Sequence, residues 1–205
     1  MAALWGALFM IGLFGGITWL AITQTKKVKA NLAALAARRG LRVVEEKHAF
    51  GSTQLVSGLA QGREVRFWTY TTGGGKSRTT WVAVGVRPRA TGLTFEFRRQ
   101  GFTTSVMGFF GSKEVTFGDA AFDKAWFVRT NQPVLLRAAL VPDIRAKLLA
   151  HPSRRQDGDY KLADGLVQFA ERGTFHSNET IARLEAKLPL LHDLADVVEV
   201  CSSSG

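Results

Sequence analysis

Cysteine is almost absent from this chain: Cys201 stands alone in 205 residues. A single thiol excludes an intrachain disulfide framework and any zinc site built from cysteines. Proline is scarce, at five residues, and no low-complexity tract occurs, so there is little room for a long disordered linker. The four histidines, His48, His151, His176 and His192, are scattered, with neither HExxH nor HxH spacing. No Gly-x-Ser-x-Gly elbow is present, and nothing assembles a catalytic triad. No cofactor, metal or catalytic residue is expected from these patterns. Acids are the minority charge, at 17 against 27 Lys and Arg, for a net +10. Such an excess points to an anionic partner, either lipid head groups or nucleic acid.

Charge is missing altogether from the first 25 residues. Residues 4–22 form an apolar run that reaches roughly 28 Å as a helix, close to the hydrocarbon thickness of a bilayer. Trp5 and Trp19 lie near its ends, where indoles favour the interface. Nothing basic precedes the run and no small-x-small site follows it, which argues against a cleaved signal. The reading is a transmembrane anchor over residues 1–25. Within it Gly12 and Gly16 form a small-xxx-small pair that offers a helix–helix contact for self-association. Lys26, Lys27, Lys29, Arg38, Arg39 and Arg42 follow before the first acid, Glu45. Basic flanks stay on the cytoplasmic side, so the expected topology is N-terminus out, with the remaining domain cytoplasmic. These six cations are the candidate lipid-facing set.

Residues 26–40 are rich in helix formers, with Gly40 as a stop signal and an apolar stripe at Leu32, Leu35 and Ala36. That stripe suits either docking on anionic lipid or packing on the domain. From residue 41 to 130 the pattern alternates with period two, as in Val65, Phe67 and Thr69, or Val82, Val84 and Val86, or Leu93, Phe95 and Phe97. With turns at 73–75, 87–92 and 99–101, the alternation predicts an antiparallel meander, and Trp126 and Val128 mark a further strand. Pro133 and Pro142 start helices that carry Leu135, Leu136 and Leu140, then Ile144, Leu148 and Leu149. Asp164-Gly165 is the strongest hairpin signal in the chain. A last helix from Asn178 carries Ile181, Leu184, Leu188 and Leu191, with a kink expected near Glu185 because Pro189 removes an amide. The expected fold class is α+β: a curved antiparallel sheet over residues 41–200 packed by C-terminal helices, with a polar tail at 201–205.

Two constellations invite chemistry. Gly73–Ser77 looks like a phosphate loop, but Tyr70 stands where the pattern needs a glycine, and a strand follows where it needs a helix. A hairpin tip is the better reading. Asp119 and Asp123 look like a carboxylate pair; the structural expectation is a turn cap at Asp119 and an ion pair from Asp123 to Arg129 or Arg137. Charge is also split. Residues 26–118 hold sixteen cations against five acids, and residues 119–205 hold eleven against twelve, so the whole excess lies in the first part.

The run Phe117-Gly-Asp119, Phe122-Asp123, Trp126-Phe-Val128, Leu135-Leu136, Arg145 and Leu148-Leu149 resembles a group of bacterial proteins with one N-terminal membrane helix and a soluble domain of unknown function. The resemblance covers residues 115–195 and the anchor. It implies an inner-membrane setting and no particular chemistry. The function expected is therefore a non-enzymatic binding or scaffolding domain, with anionic lipid and an unidentified protein as partners. An alternative is a tethered nucleic-acid binder in which Arg63, Arg66, Lys76 and Arg78 meet phosphates while Trp68 or Tyr70 stacks on bases. A third is an enzyme whose site is assembled only in the fold.

Overall fold

The structure is a computed structural model that describes residues 23–48, 51–90, 92–100, 113–151 and 157–203. The apolar run of residues 4–22, with Gly12 and Gly16, lies outside the described residues, and of the expected anchor over residues 1–25 only residues 23–25 are described. No helix among the described residues is long and apolar enough to cross a membrane.

The described part of helix α1 is residues 23–39. It ends as its sequence dictates: Gly40 takes φ +63°, Leu41 N–H donates to Ala36 O at 2.9 Å and Gly40 N–H to Ala37 O at 3.5 Å. This is a Schellman stop, which only a residue tolerant of positive φ closes cheaply. The strands are β1 (Arg42–His48), β2 (Gly51–Ala60), β3 (Arg63–Thr72), β4 (Thr79–Val86), β5 (Phe95–Arg99), β6 (Lys113–Glu114), β7 (Trp126–Thr130), β8 (Asp157–Ala163) and β9 (Leu166–Arg172). The later helices are α2 (Ala120–Ala125), α3 (Pro133–Ala139), α4 (Pro142–Ala150), α5 (Asn178–Glu185) and α6 (Leu188–Ser203). The fold class is α+β.

All described strand pairs are antiparallel, in the order β1-β2-β3-β4-β9-β8-β5-β7-β6. The meander therefore stops at β4. The β8–β9 hairpin inserts between β4 and β5, so β5 pairs with β8 and β7 and not with its predecessor in sequence. Asp164 and Gly165 close that hairpin at φ +54° and +70°, the signature of a type I′ turn. Gln61 and Gly62 do the same between β2 and β3 at φ +52° and +73°.

Register sorts each strand into two faces. Val65, Phe67, Val84, Val86, Val167, Phe169, Tyr160 and Phe97 fall on one face and are buried. The α6 helix packs on β4 and β9 over this face, with α3 and α4 against α6. Helix α1 joins the same core: Leu32, Leu35 and Ala36 are buried at 1%, 0% and 5% exposure. The apolar stripe thus packs on the domain, and α1 is part of the fold. The α5–α6 junction breaks more sharply than a kink, through a turn at Ala186 and Lys187. Pro189 sits in the first turn of α6, where its missing N–H has no intrahelical partner to lose. Helix α6 also runs through Ser203 and buries Cys201, so the expected polar tail begins later than residue 201. Of the α4 residues expected inside, Leu148 is buried, while Ile144 and Leu149 are only half-buried.

Candidate functional site

Helix α1 meets two environments along its length. Lys26, Lys27 and Lys29 in its first described turns are exposed and form no ion pair with any described residue. Arg38 and Arg39, at the other end, both reach Glu185 on α5, at 3.0 and 2.7 Å. Arg42, at the start of β1, is exposed. Of the six cations singled out by their order in the chain, two are thus committed to the fold. Asn31 fixes the helix between these ends: its Nδ2 donates to Phe175 O at 2.8 Å and His176 O at 3.0 Å.

A cleft of about 330 Å³ opens where the first half of α1 overhangs the sheet. Val28, Lys29 and Leu32 form its helical wall, with Phe175 beside them. The facing wall is a polar row across three strands, Glu45 on β1, Gln54 on β2 and Thr69 on β3. Ser52 adds its hydroxyl, which donates to the Glu45 carboxylate. One step along the sheet the same face carries the apolar pair Val56 and Phe67, and there the helices close over it. The cleft exists because the row turns polar: apolar side chains have nothing to gain by packing on it. Lys29 and Glu45 stand on opposite walls and form no ion pair with each other.

The constellation imagined for nucleic acid is divided by the sheet. Arg63 shares the parity of Val65 and Phe67, so it points into the helix layer at 8% exposure. There it bonds Glu199 at 2.9–3.0 Å and Asp196 at 2.5 Å. The Glu199 bond raises the Arg63 pKa, and Arg63 in turn holds Glu199 below the usual carboxylate range. Arg66, Trp68 and Tyr70 lie on the opposite face. Arg66 pairs with Glu46 at 3.3 Å, Tyr70 stacks on Trp81 at 6.2 Å, and Arg172 covers Trp81 at 5.5 Å. Burial, and then the Asp159 carboxylate, push Tyr70 up to about 12. The Trp68 ring lies over Gly85, where a Cβ would come within 3.1 Å of it.

Gly73–Ser77 is an exposed tip with a 3-10 turn at Gly75–Ser77, followed after Arg78 by β4. Asp119 caps α2 by accepting from Phe122 N–H at 3.1 Å, which with Arg145 holds its pKa low. Asp123 does not pair with Arg129 or Arg137. Its carboxylate accepts the Phe117 and Gly118 N–H groups at 2.9 and 3.0 Å, and Arg137 donates to Thr116 O. Orphaned amides at a tight turn claimed this acid before a distant guanidinium could. No group of three or more His, Cys, Asp or Glu placed to hold a metal occurs among the described residues.

One convergence of ionisable groups had no signal in the sequence. Lys187, in the α5–α6 turn, lies 3.1 Å from His151 Nδ1 and 4.7 Å from the Phe169 ring centre. Arg99 covers the Trp126 ring at 4.0 Å and donates to His151 O at 2.6 Å. Burial, then Lys187, then Arg99 push His151 down to about 4, so it stays neutral and accepts from the ammonium.

No protein-family model, curated protein or solved structure matches this chain.

Proposed function

We propose that this chain is a single-pass membrane protein whose α+β domain is a binding or scaffolding module on the cytoplasmic face. The observation that carries the reading is the character of α1. Its first turns, directly after 25 uncharged residues, display three exposed lysines with no ion pair among the described residues. Its later turns are embedded in the core. Such a helix would join anchor and domain without a flexible linker, holding the domain against the leaflet. Each lysine near an anionic surface contributes on the order of 1 kcal/mol of attraction.

Fractionation with reporter fusions tests this. The full chain should sediment with membranes and resist salt and carbonate extraction. A cytoplasm-active reporter fused after Gly205 should be active, and a periplasm-active one silent. Recovery in the soluble fraction would end the anchor reading; the opposite reporter pattern would end the orientation. The nucleic-acid reading keeps one supporting observation, that Arg66, Trp68 and Tyr70 share a sheet face. It expects single-stranded DNA binding that falls on Trp68→Ala.

A further inference from the structure

The cleft between α1 and the β1–β3 row has the complementarity of a small zwitterion. Its helical wall offers one ammonium, Lys29, and its sheet wall one carboxylate, Glu45, with the Ser52 hydroxyl and Gln54 amide beside it. Because the two charges form no ion pair with each other, a ligand bearing both signs can bridge them without first breaking an ion pair between them. The volume, about 330 Å³, is at the low end for ligand sites, which suits a head group and not a whole cofactor. The acceptors on the sheet wall favour a primary ammonium with N–H groups to donate. A quaternary ammonium prefers a cage of aromatic faces, and among the described residues Phe175 is the one aromatic ring lining this cleft. The site is held in shape: Asn31 pins α1 to the 175–176 segment, and Leu32 and Phe175 are each 1% exposed.

We propose that this cleft binds the head group of an amine-bearing zwitterionic phospholipid, with the phosphate against Lys29 and the primary ammonium against Glu45. The proposal rests on the membrane reading, since α1, whose Val28, Lys29 and Leu32 line the cleft, follows the uncharged run in sequence. The lipid's chains stay in the bilayer while the head group occupies the cleft. Val28, half-buried above Leu32, meets the methylene carbons. A free amino acid or free phosphoethanolamine presents the same two charges, and the test separates these sources.

The full chain, purified in detergent, is titrated calorimetrically with dihexanoyl phosphatidylethanolamine, dihexanoyl phosphatidylcholine, phosphoethanolamine and glycine. The ethanolamine lipid should bind saturably, and the choline lipid about tenfold more weakly or worse, the scale of one hydrogen bond to a charged group. Glu45→Gln should erase that preference, Lys29→Gln should weaken both lipids, and Lys27→Gln should change neither. Both cleft positions are exposed, so neither variant threatens the core. Equal binding of the two lipids, or none that saturates, overturns the head-group site while leaving fractionation to judge the anchor. Binding of phosphoethanolamine or glycine as tight as that of the lipid overturns the lipid source. A chain found only in the soluble fraction removes the membrane premise, whatever the titration shows.

Discussion

The first and last described turns of α1 have similar composition and different employment. At the first, Lys26, Lys27 and Lys29 stand exposed; at the second, Arg38 and Arg39 share Glu185, next to the buried Leu35 and Ala36. A run of cations in a sequence is therefore not one functional unit. What separates its members is whether the fold brings a carboxylate within reach, and α5 does so only at the second end.

That contrast can be broken in five places, beginning with the largest expected effect. Leu35→Ala should cost about 2–5 kcal/mol of stability in denaturant titration, as for a fully buried leucine. A cost below about 0.5 kcal/mol would mean that α1 is not part of the core. Next, a fragment of residues 23–205 keeps every described element. Exchanging its Lys26, Lys27 and Lys29 for Gln should weaken binding to anionic vesicles by about 3 kcal/mol at low salt. Exchanging Arg38 and Arg39 should leave vesicle binding nearly intact and cost at most about 1 kcal/mol of stability per exposed pair. Equal losses from both sets would erase the distinction between the two ends.

Arg63→Ala should cost about 1–3 kcal/mol, because it leaves a buried hydrogen-bonding position empty while Asp196 retains access to water. The same change in a phosphate-binding arginine would leave stability alone and reduce DNA affinity. A subtler check is pH. His151 is held at about 4 when folded and titrates near 6.5 when unfolded, so between these values the unfolded chain binds the extra proton. Stability is full above about 6.5 and falls as the pH drops toward 4. His192, also lowered by burial, adds in the same direction. His151→Gln should flatten part of that decline, with His192→Gln removing a further part; an unchanged slope in the double variant would show that other groups govern it. Smallest of all, Lys76→Ala at the exposed tip should stay within about 0.5 kcal/mol and create no nucleotide dependence of the melting temperature.

Local features of the fold were legible where a residue's own chemistry restricts the backbone. Gly40 stops α1 and Asp164-Gly165 closes a hairpin because both need positive φ. Alternation placed Val65, Phe67, Val82 and Val84 on a buried face because side chains on a strand alternate. The same parity could have separated Arg63 from Arg66, and with it the nucleic-acid constellation. The insertion of β8–β9 between β4 and β5 had no local signature, since strands far apart in sequence pair through register and shared core. The cleft was hidden for a related reason. Glu45, Gln54 and Thr69 come from three strands, and only their alignment makes a polar row.

The sequence by itself determined the α+β class, the starts of α3, α4 and α5, the uncharged first 25 residues and the concentration of positive charge before residue 119. These follow from periodicity, turn chemistry and counting, which act over a few residues at a time. The tertiary structure alone decided the strand order and the burial of α1. It also decided the pairing of Arg38 and Arg39 with Glu185, and the meeting of Lys29 and Glu45 across one cleft. Each of those depends on which distant groups are brought within a few ångströms, and short-range electrostatics and packing act only at that distance.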